Sequence, residues 1–376
     1  MNTPRARSLG WLPPSLLDSG PNNALTDIPG VLVGHTTLIT GNPGPLVVGR
    51  GPVRTGVTAI HPHAGNLFTA PVSAAVHVLN GFGKTVGLEQ IRELGRLETP
   101  ILLTNTLNTW RCAEALLDWM LRTNPEIGIS TGSLNPVVGE CNDGWLNDIQ
   151  GRHVTADSIF AALDSATTGP IPEGNVGAGT GTRCYGFKGG IGTASRILPP
   201  EKGGFTVGAL LQTNFGAREQ LIIRGQAVGQ MLGVAGEEFE VEGGSCMLII
   251  ATDAPLSARQ LGRLARRAPL GLARTGFTSN SGSGDYVITF SNHHRNTAET
   301  RVSLPIERLV NEDKILSLLF QAVVETVEEA ALNSLIAAET MAGRSGHVAK
   351  AIPIDLIQTW LPPILDIKTT QSTKAH

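Results

Sequence analysis

Apolar residues recur along this chain at two spacings, and their order outlines the fold. Val31 to Ile39 and Thr55 to His61 alternate as strands do, and Ile101-Leu102-Leu103 is a brief buried strand. Val86 to Leu94 reads as a short helix. Thr109 to Thr123 reads as a longer one, with Trp110, Ala113, Leu116, Leu117 and Met120 forming a helical stripe that predicts core packing. Asn135 to Glu140 leads into turn chemistry at Cys141-Asn142-Asp143-Gly144, and Thr155 caps a helix that runs to Ser165. Phe205 to Thr213 is a strand closed by Asn214-Phe215-Gly216, and Met247 to Ala251 is a continuous apolar run with the length of a buried strand. Ser257 with Gln260 has capping-box spacing and opens a helix through Leu264. Tyr286 to Ser291 alternates again. Asn311 caps a long helix with Gly343 past its end, and its broad apolar face, from Ile315 to Ile336, predicts packing on a sheet. A last helix, Ile354 to Leu361, precedes a polar tail.

Strands and helices lie on both sides of residue 244, and no interval has the composition of an interdomain linker. The pattern therefore predicts one α/β domain over residues 1–376. Residues 1–22, punctuated by proline and glycine, are expected to wrap another surface and not to form a core element. Residues 174–192 hold the densest glycines. With no preceding strong strand, no following helix and no Gly-Lys-Ser/Thr, they predict a closely packed loop and not a nucleotide cradle.

Composition narrows the partners. A formal net charge of −3 and scattered basic residues give no field for nucleic acid or an anionic membrane. Charged residues make up only 16%, which predicts much buried surface, some of it between subunits. No stretch reaches the ~18 apolar residues of a membrane span, and residues 1–20 lack the apolar core of a signal peptide, so a cytoplasmic protein is expected. The four cysteines, Cys112, Cys141, Cys184 and Cys246, are widely spaced and fit reduced thiols better than a zinc or disulfide framework. His61 and His63 flank Pro62 without a nearby acid and read as a loop pair.

The chemistry centres on Gly243-Gly244-Ser245, directly before the apolar run. One reading is a turn. The other is a self-cleaving junction, in which the Ser245 hydroxyl attacks the Gly244 carbonyl and water then cuts the ester. Ser245 would begin a new chain, with its own α-amine as base. An α-amine titrates near ~8 against about 10.4 for lysine, so a useful fraction is unprotonated at neutral pH. Glycine at the scissile carbonyl has no Cβ to block attack. Spacing alone leaves both readings open.

Gly244-Ser245 with Ala251-Thr252-Asp253-Ala254-Pro255-Leu256, and Gln212-Thr213-Asn214-Phe215-Gly216, resemble the self-processing L-aminopeptidase/D-amidase-esterases and β-peptidyl aminopeptidases. The resemblance continues through Thr26 to Val31, Val138-Gly139-Glu140, Gly177 to Thr182, Gly186 to Gly190 and Ala337 to Met341. It implies a four-layer αββα sandwich similar to the N-terminal-nucleophile hydrolases, with altered connectivity. It also implies cleavage after Gly244 into chains 1–244 and 245–376, with Ser245 as the nucleophile. By the same resemblance Asn214 holds the oxyanion, Glu140 binds the substrate's free amine, and Ser283 and Asp285 orient the nucleophile. Small peptides, amides or esters are the implied substrates, no cofactor or metal is called for, and cleaved units assemble into homo-oligomers. Asp285 stands where some relatives carry glutamate, and Cys246 and Cys141 depart from the expected pattern. Taken singly, Asn214, Glu140, Ser283 and Asp285 are ordinary loop polars; their joint order gives them weight. An acyltransferase of the ornithine acetyltransferase type and an uncleaved, non-catalytic member are the alternatives.

Overall fold

A computed structural model of the chain describes residues 4–362 apart from 16, 234–243, 296–302, 304 and 311. Gly243, the Asn311 cap and the polar tail beyond 362 therefore lie outside the described residues. The strands are β1 (Leu32–Thr40), β2 (Val53–His61), β3 (Val72–Gly81), β4 (Arg96–Leu97), β5 (Ile101–Asn105), β6 (Val137–Cys141), β7 (Arg183–Cys184), β8 (Phe187–Lys188), β9 (Ile191–Ile197), β10 (Thr206–Asn214), β11 (Gly244–Thr252), β12 (Ser283–Arg295), β13 (Met341–Ala342) and β14 (Val348–Ala349). They build a four-stranded sheet in the order β1-β2-β5-β6 and a six-stranded sheet in the order β4-β3-β12-β11-β10-β9, with two small two-stranded pairings.

The side-chain alternation of β11 shows how the sheets face each other. Met247, Ile249 and Ala251 share an apolar cluster with Ile60, Ile101, Leu103 and Val137 of the four-stranded sheet. Cys246, Leu248 and Ile250 belong to the cluster on the other face. A strand buried on both faces needs apolar residues at every position, hence the unbroken run in the sequence.

Helices close the outer faces. After α1 (Leu88–Leu94), α2 (Thr109–Thr123) and α3 (Ala156–Asp164) cover Val57, Ala59, Leu102 and Val138 of the four-stranded sheet. The short α4 (Val228–Met231) is followed by α5 (Ala258–Ala265), α6 (Ala268–Ala273) and α7 (Glu312–Ile336), which pack on the six-stranded sheet. α8 (Ile354–Trp360) joins the same cluster through Ile357. The layers run αββα, as the resemblance implied. Thr155 caps α3 by accepting from Ser158 N, and Ser257 and Gln260 cap α5 reciprocally.

Three expectations need correction. The α2 stripe is misphased: Cys112, Ala115, Leu116 and Met120 are buried, while Trp110 is 55% exposed and Leu117 36% exposed. Trp110 lies about 120° round the helix from Leu116 and so misses the sheet. α7 ends at Ile336, well short of Gly343. Its last turn is held laterally, with Asn333 donating to Thr193 O at 3.0 Å and accepting from Ala6 N at 2.9 Å, so no glycine is needed to end it. Gly343 sits instead between β13 and β14, where a Cβ would come 2.2 Å from Leu146 O. Cys141, read as part of a turn, closes strand β6.

A fourth correction concerns the N-terminal segment: it wraps the helix side, as expected, but it also enters the core, because Ala6, Trp11, Leu12 and Leu17 are apolar enough to be buried there. Beneath it Arg196 of β9, almost wholly buried, donates to Glu325 at 2.9 Å and to Glu329 at 2.7 Å. The glycine-rich stretch packs backbone on backbone. A Cβ on Gly190 would come 2.1 Å from Gly174 O, and one on Gly179 would come 2.4 Å from Ile191 N. Lys188 ties this loop by donating to Gly179 O and Gly189 O at 2.9 and 2.7 Å, and burial brings its ammonium down to about 7. Among the described residues no helix is long and apolar enough to cross a membrane.

Candidate active site

Ser245 is the second residue of β11 and stands in antiparallel register with Asn214, the last residue of β10. Its alternation phase is that of Met247 and Ile249, so its side chain lies on the inter-sheet face. Asn214 Nδ2 donates to Ser245 Oγ at 3.3 Å. The other end of that amide is fixed, because Asn214 Oδ1 accepts from Arg183 N at 3.1 Å. A backbone N–H can only donate, so this contact settles which end of the amide faces the serine. Cys246 has the opposite phase and belongs to the helix-side cluster. Burial, with nearby Cys141, Asp285 and Cys184 adding to it, keeps its thiol well above the usual range. Geometry and protonation both separate Cys246 from the Asn214 amide.

Gly244 stands in parallel register with Ser283. A Cβ on Gly244 would lie 3.1 Å from Ser283 Oγ, so Ser283 borders the glycine side of the Gly244–Ser245 peptide. Ser283 Oγ donates to Asp285 Oδ1 at 2.7 Å, and Ser279 Oγ donates to Asp285 Oδ2 at 2.5 Å. Burial raises the Asp285 carboxyl, and the two hydroxyls and the Cys246 backbone pull it back. Ser283 and Asp285 share the phase of Val287, the helix-side face. The structure thus brings them to Gly244 and the backbone of the junction, and brings Asn214 to the Ser245 hydroxyl.

Glu140 comes from the other sheet, near the end of β6, and is 3% exposed. Its Oε1 accepts from Lys84 N at 2.8 Å, and its Oε2 accepts from Thr106 Oγ1. The next residue, Cys141, donates from Sγ to Gln212 O at 3.5 Å and also lies against the Ser245 hydroxyl. Burial holds its thiol well above the usual range, so it stays protonated beside the serine. Five residues singled out in the sequence, at 140, 214, 245, 283 and 285, therefore converge where the ends of β6, β10, β11 and β12 meet. Sequence reasoning did not find Lys84, Thr106 or Arg183. Two of these act through a backbone N–H, which any residue but proline supplies and which leaves no trace in composition.

A family model described as Peptidase family S58 matches residues 23–349. The chain belongs to peptidase family S58. Membership makes it a hydrolytic enzyme of the peptidase class. Among its relatives is the beta-peptidyl aminopeptidase BapA of Sphingosinicella xenopeptidilytica, 42% identical over 366 residues, with 94% of this chain and 89% of that protein covered. A solved protein of Pyrococcus horikoshii OT3 is 48% identical, with a TM-score of 0.88 over 94% of this chain and 98% of that one. The L-aminopeptidase D-Ala-esterase/amidase of Ochrobactrum anthropi is 40% identical, with a TM-score of 0.86 over 95% of this chain and 98% of that one. It is described as a prototype for the serine aminopeptidases and a new variant among the Ntn hydrolase fold. The αββα layering of this S58 chain is that variant fold.

Proposed function

We propose that this S58 peptidase is an aminopeptidase and amidase activated by its own cleavage between Gly244 and Ser245, with Ser245 as its N-terminal nucleophile. The observation that carries the reading is the Asn214 amide, pinned by Arg183 N at 3.1 Å and donating to Ser245 Oγ at 3.3 Å. A fixed neutral donor beside a buried hydroxyl is what a developing oxyanion requires.

In the first reaction Ser245 Oγ attacks the Gly244 carbonyl carbon. The C–N bond breaks, the peptide becomes an ester with its nitrogen released as an amine, and water hydrolyses the ester. Chains 1–244 and 245–376 remain interlocked, because β10 and β12 flank β11 in the same sheet. The new α-amine emerges beside Ser283. The Ser283 hydroxyl donates a hydrogen bond to Asp285, which leaves its own lone pairs free to accept one from that amine. In turnover the amine takes the hydroxyl proton as Ser245 attacks the substrate carbonyl, and returns it to the leaving amine or alcohol. Asn214 holds the oxyanion, and water releases the acyl group. Glu140 anchors the free amine of the substrate, which confines cleavage to the N-terminal residue of small peptides, amides or esters. The reading includes a cytoplasmic location and assembly into oligomers of cleaved units, in keeping with the low charge content.

The test uses para-nitroanilides of L-alanine, D-alanine and β-alanine with the wild-type enzyme and Ser245→Ala. Two bands on a denaturing gel, with release of nitroaniline, are expected of the wild type, and a single inert full-length band of the variant. Activity in Ser245→Ala, or loss of cleavage in Cys246→Ala alone, would assign the wrong nucleophile. Faster transfer to an added amine than to water would make the enzyme an acyltransferase.

A further inference from the structure

Glu140 enters the site from the four-stranded sheet and Ser245 from the six-stranded one. The end of β3 and the residues just after it touch both. Asn80 Nδ2 donates to the carbonyls of Asn280 and Ser281 at 3.0 Å each, and to Ser283 O at 2.5 Å. Four residues on, Lys84 N donates to Glu140 Oε1 at 2.8 Å. Gly83 is wedged between the two sheets. A Cβ there would come 2.6 Å from the Tyr286 ring, 3.2 Å from Glu140 Oε1 and 3.3 Å from Gly284 Cα, and Gly284 is the register partner of Ser245.

The carbonyl of Gly83 and the N–H of Lys84 belong to one peptide unit, which is planar and trans, so the two groups point in opposite directions. Tyr286 Oη donates to the carbonyl end at 3.0 Å, and the N–H end donates to Glu140. Tyr286 is 6% exposed, and burial together with the Glu140 and Asp285 charges keeps its phenol protonated as a donor. A hydrogen bond to the carbonyl fixes the peptide plane and polarises its N–H toward the carboxylate.

We propose that Tyr286 is a positioning residue for recognition of the substrate amine: its hydroxyl sets the Gly83–Lys84 peptide, which aims the Glu140 carboxylate. This rests on Glu140 as the amine anchor. β12 thereby orients groups from both sheets, carrying Ser283 and Asp285 itself and reaching Glu140 through one peptide bond.

Tyr286→Phe removes only the hydroxyl. With an alanyl or β-alanyl para-nitroanilide, KM should rise about five- to ten-fold, the equivalent of one net hydrogen bond. kcat should stay within two-fold and self-cleavage should be normal. The inhibition constant of the corresponding free amino amide should weaken by the same factor. Glu140→Gln, run beside it, should raise KM further, and the double variant should add nothing to Glu140→Gln. An unchanged KM in a folded Tyr286→Phe protein, with Glu140→Gln raising KM, overturns the role of Tyr286 and leaves that of Glu140. So does a loss of kcat at constant KM. An unchanged KM in Glu140→Gln removes both. Should Tyr286→Phe fail to fold, Gly83→Ala serves, since its Cβ presses on both the ring and the carboxylate. A wild-type KM in that variant overturns the proposal.

Discussion

Replacing Asn214 separates an electrostatic role from a structural one, because two substitutions should rank in opposite orders. Asn214→Ala deletes the donor 3.3 Å from Ser245 Oγ and removes the hydrogen bond from Arg183 N. Losing one oxyanion donor raises the barrier by about 3 kcal/mol, or about 10²-fold in rate. Loss of the Asn214–Arg183 hydrogen bond costs a further ~0.5–1.5 kcal/mol, charged to folding stability and not to the barrier. Asn214→Asp keeps the Arg183 contact through one oxygen, so stability should stay near wild type. Its other oxygen, however, puts a negative charge where the oxyanion develops. At about 4 Å and an effective dielectric of ~20, that repulsion alone is about 4 kcal/mol. The expected rate orders are wild type, then Ala, then Asp, with Asp down by ~10³-fold or more; the expected stability orders place Ala last. Self-cleavage half-times from intact mass, kcat on a para-nitroanilide and denaturant midpoints read all three quantities. Asn214→Asp within about five-fold of wild-type kcat would refute the reasoning, as would a rate order that follows stability.

Other outcomes follow from the burial of charge. Arg196→Met removes one of the two arginines paired with the wholly buried Glu329 carboxylate and leaves Arg7 and Asn23, so it should cost about 2–4 kcal/mol in chemical denaturation, somewhat less than stranding the charge; a loss under ~1 kcal/mol would show that Arg7 and Asn23 hold Glu329 without Arg196. Burial brings the His61 imidazole from its usual 6.5 to about 4, with Leu163, Asp164 and His63 as smaller influences. The folded protein keeps this ring neutral, so as pH falls from 6.5 to 4 the unfolded chain takes up the proton first and stability is lost over that window. The wild type should lose up to ~3 kcal/mol relative to His61→Phe between pH 7 and pH 4; a pH-independent difference in denaturant midpoints would mean that the ring protonates in place.

Local chemistry was legible wherever one residue type does one job. Thr155 accepts from Ser158 N at the start of α3, and Ser257 and Gln260 close the α5 box, as their spacing predicts. β10 and β11 were legible because burial on both faces forces continuous apolar runs. β3 and β9 were missed. Val72-Ser73-Ala74-Ala75 blurs the alternation with small residues, and β9 emerges from a glycine-rich stretch whose strand character comes from pairing with β10. The α2 phase was misjudged because Trp110 and Leu117 are apolar yet lie on the open flank. At the site, Glu140, Asn214, Ser245, Ser283 and Asp285 gained meaning only from their joint order, since each alone is a common turn or loop residue. Tyr286 read only as the start of an alternating strand, and its hydroxyl bond to Gly83 depends on how two sheets approach each other.

The central claim is that Gly244–Ser245 breaks so that the hydroxyl and amine of one residue act together. Edman degradation of freshly purified, active enzyme tests it most directly. A second sequence beginning Ser-Cys-Met-Leu, in equal yield with the original N-terminus, is the predicted result. Full activity in material that gives only the original N-terminus and an intact mass near 39.5 kDa would contradict it.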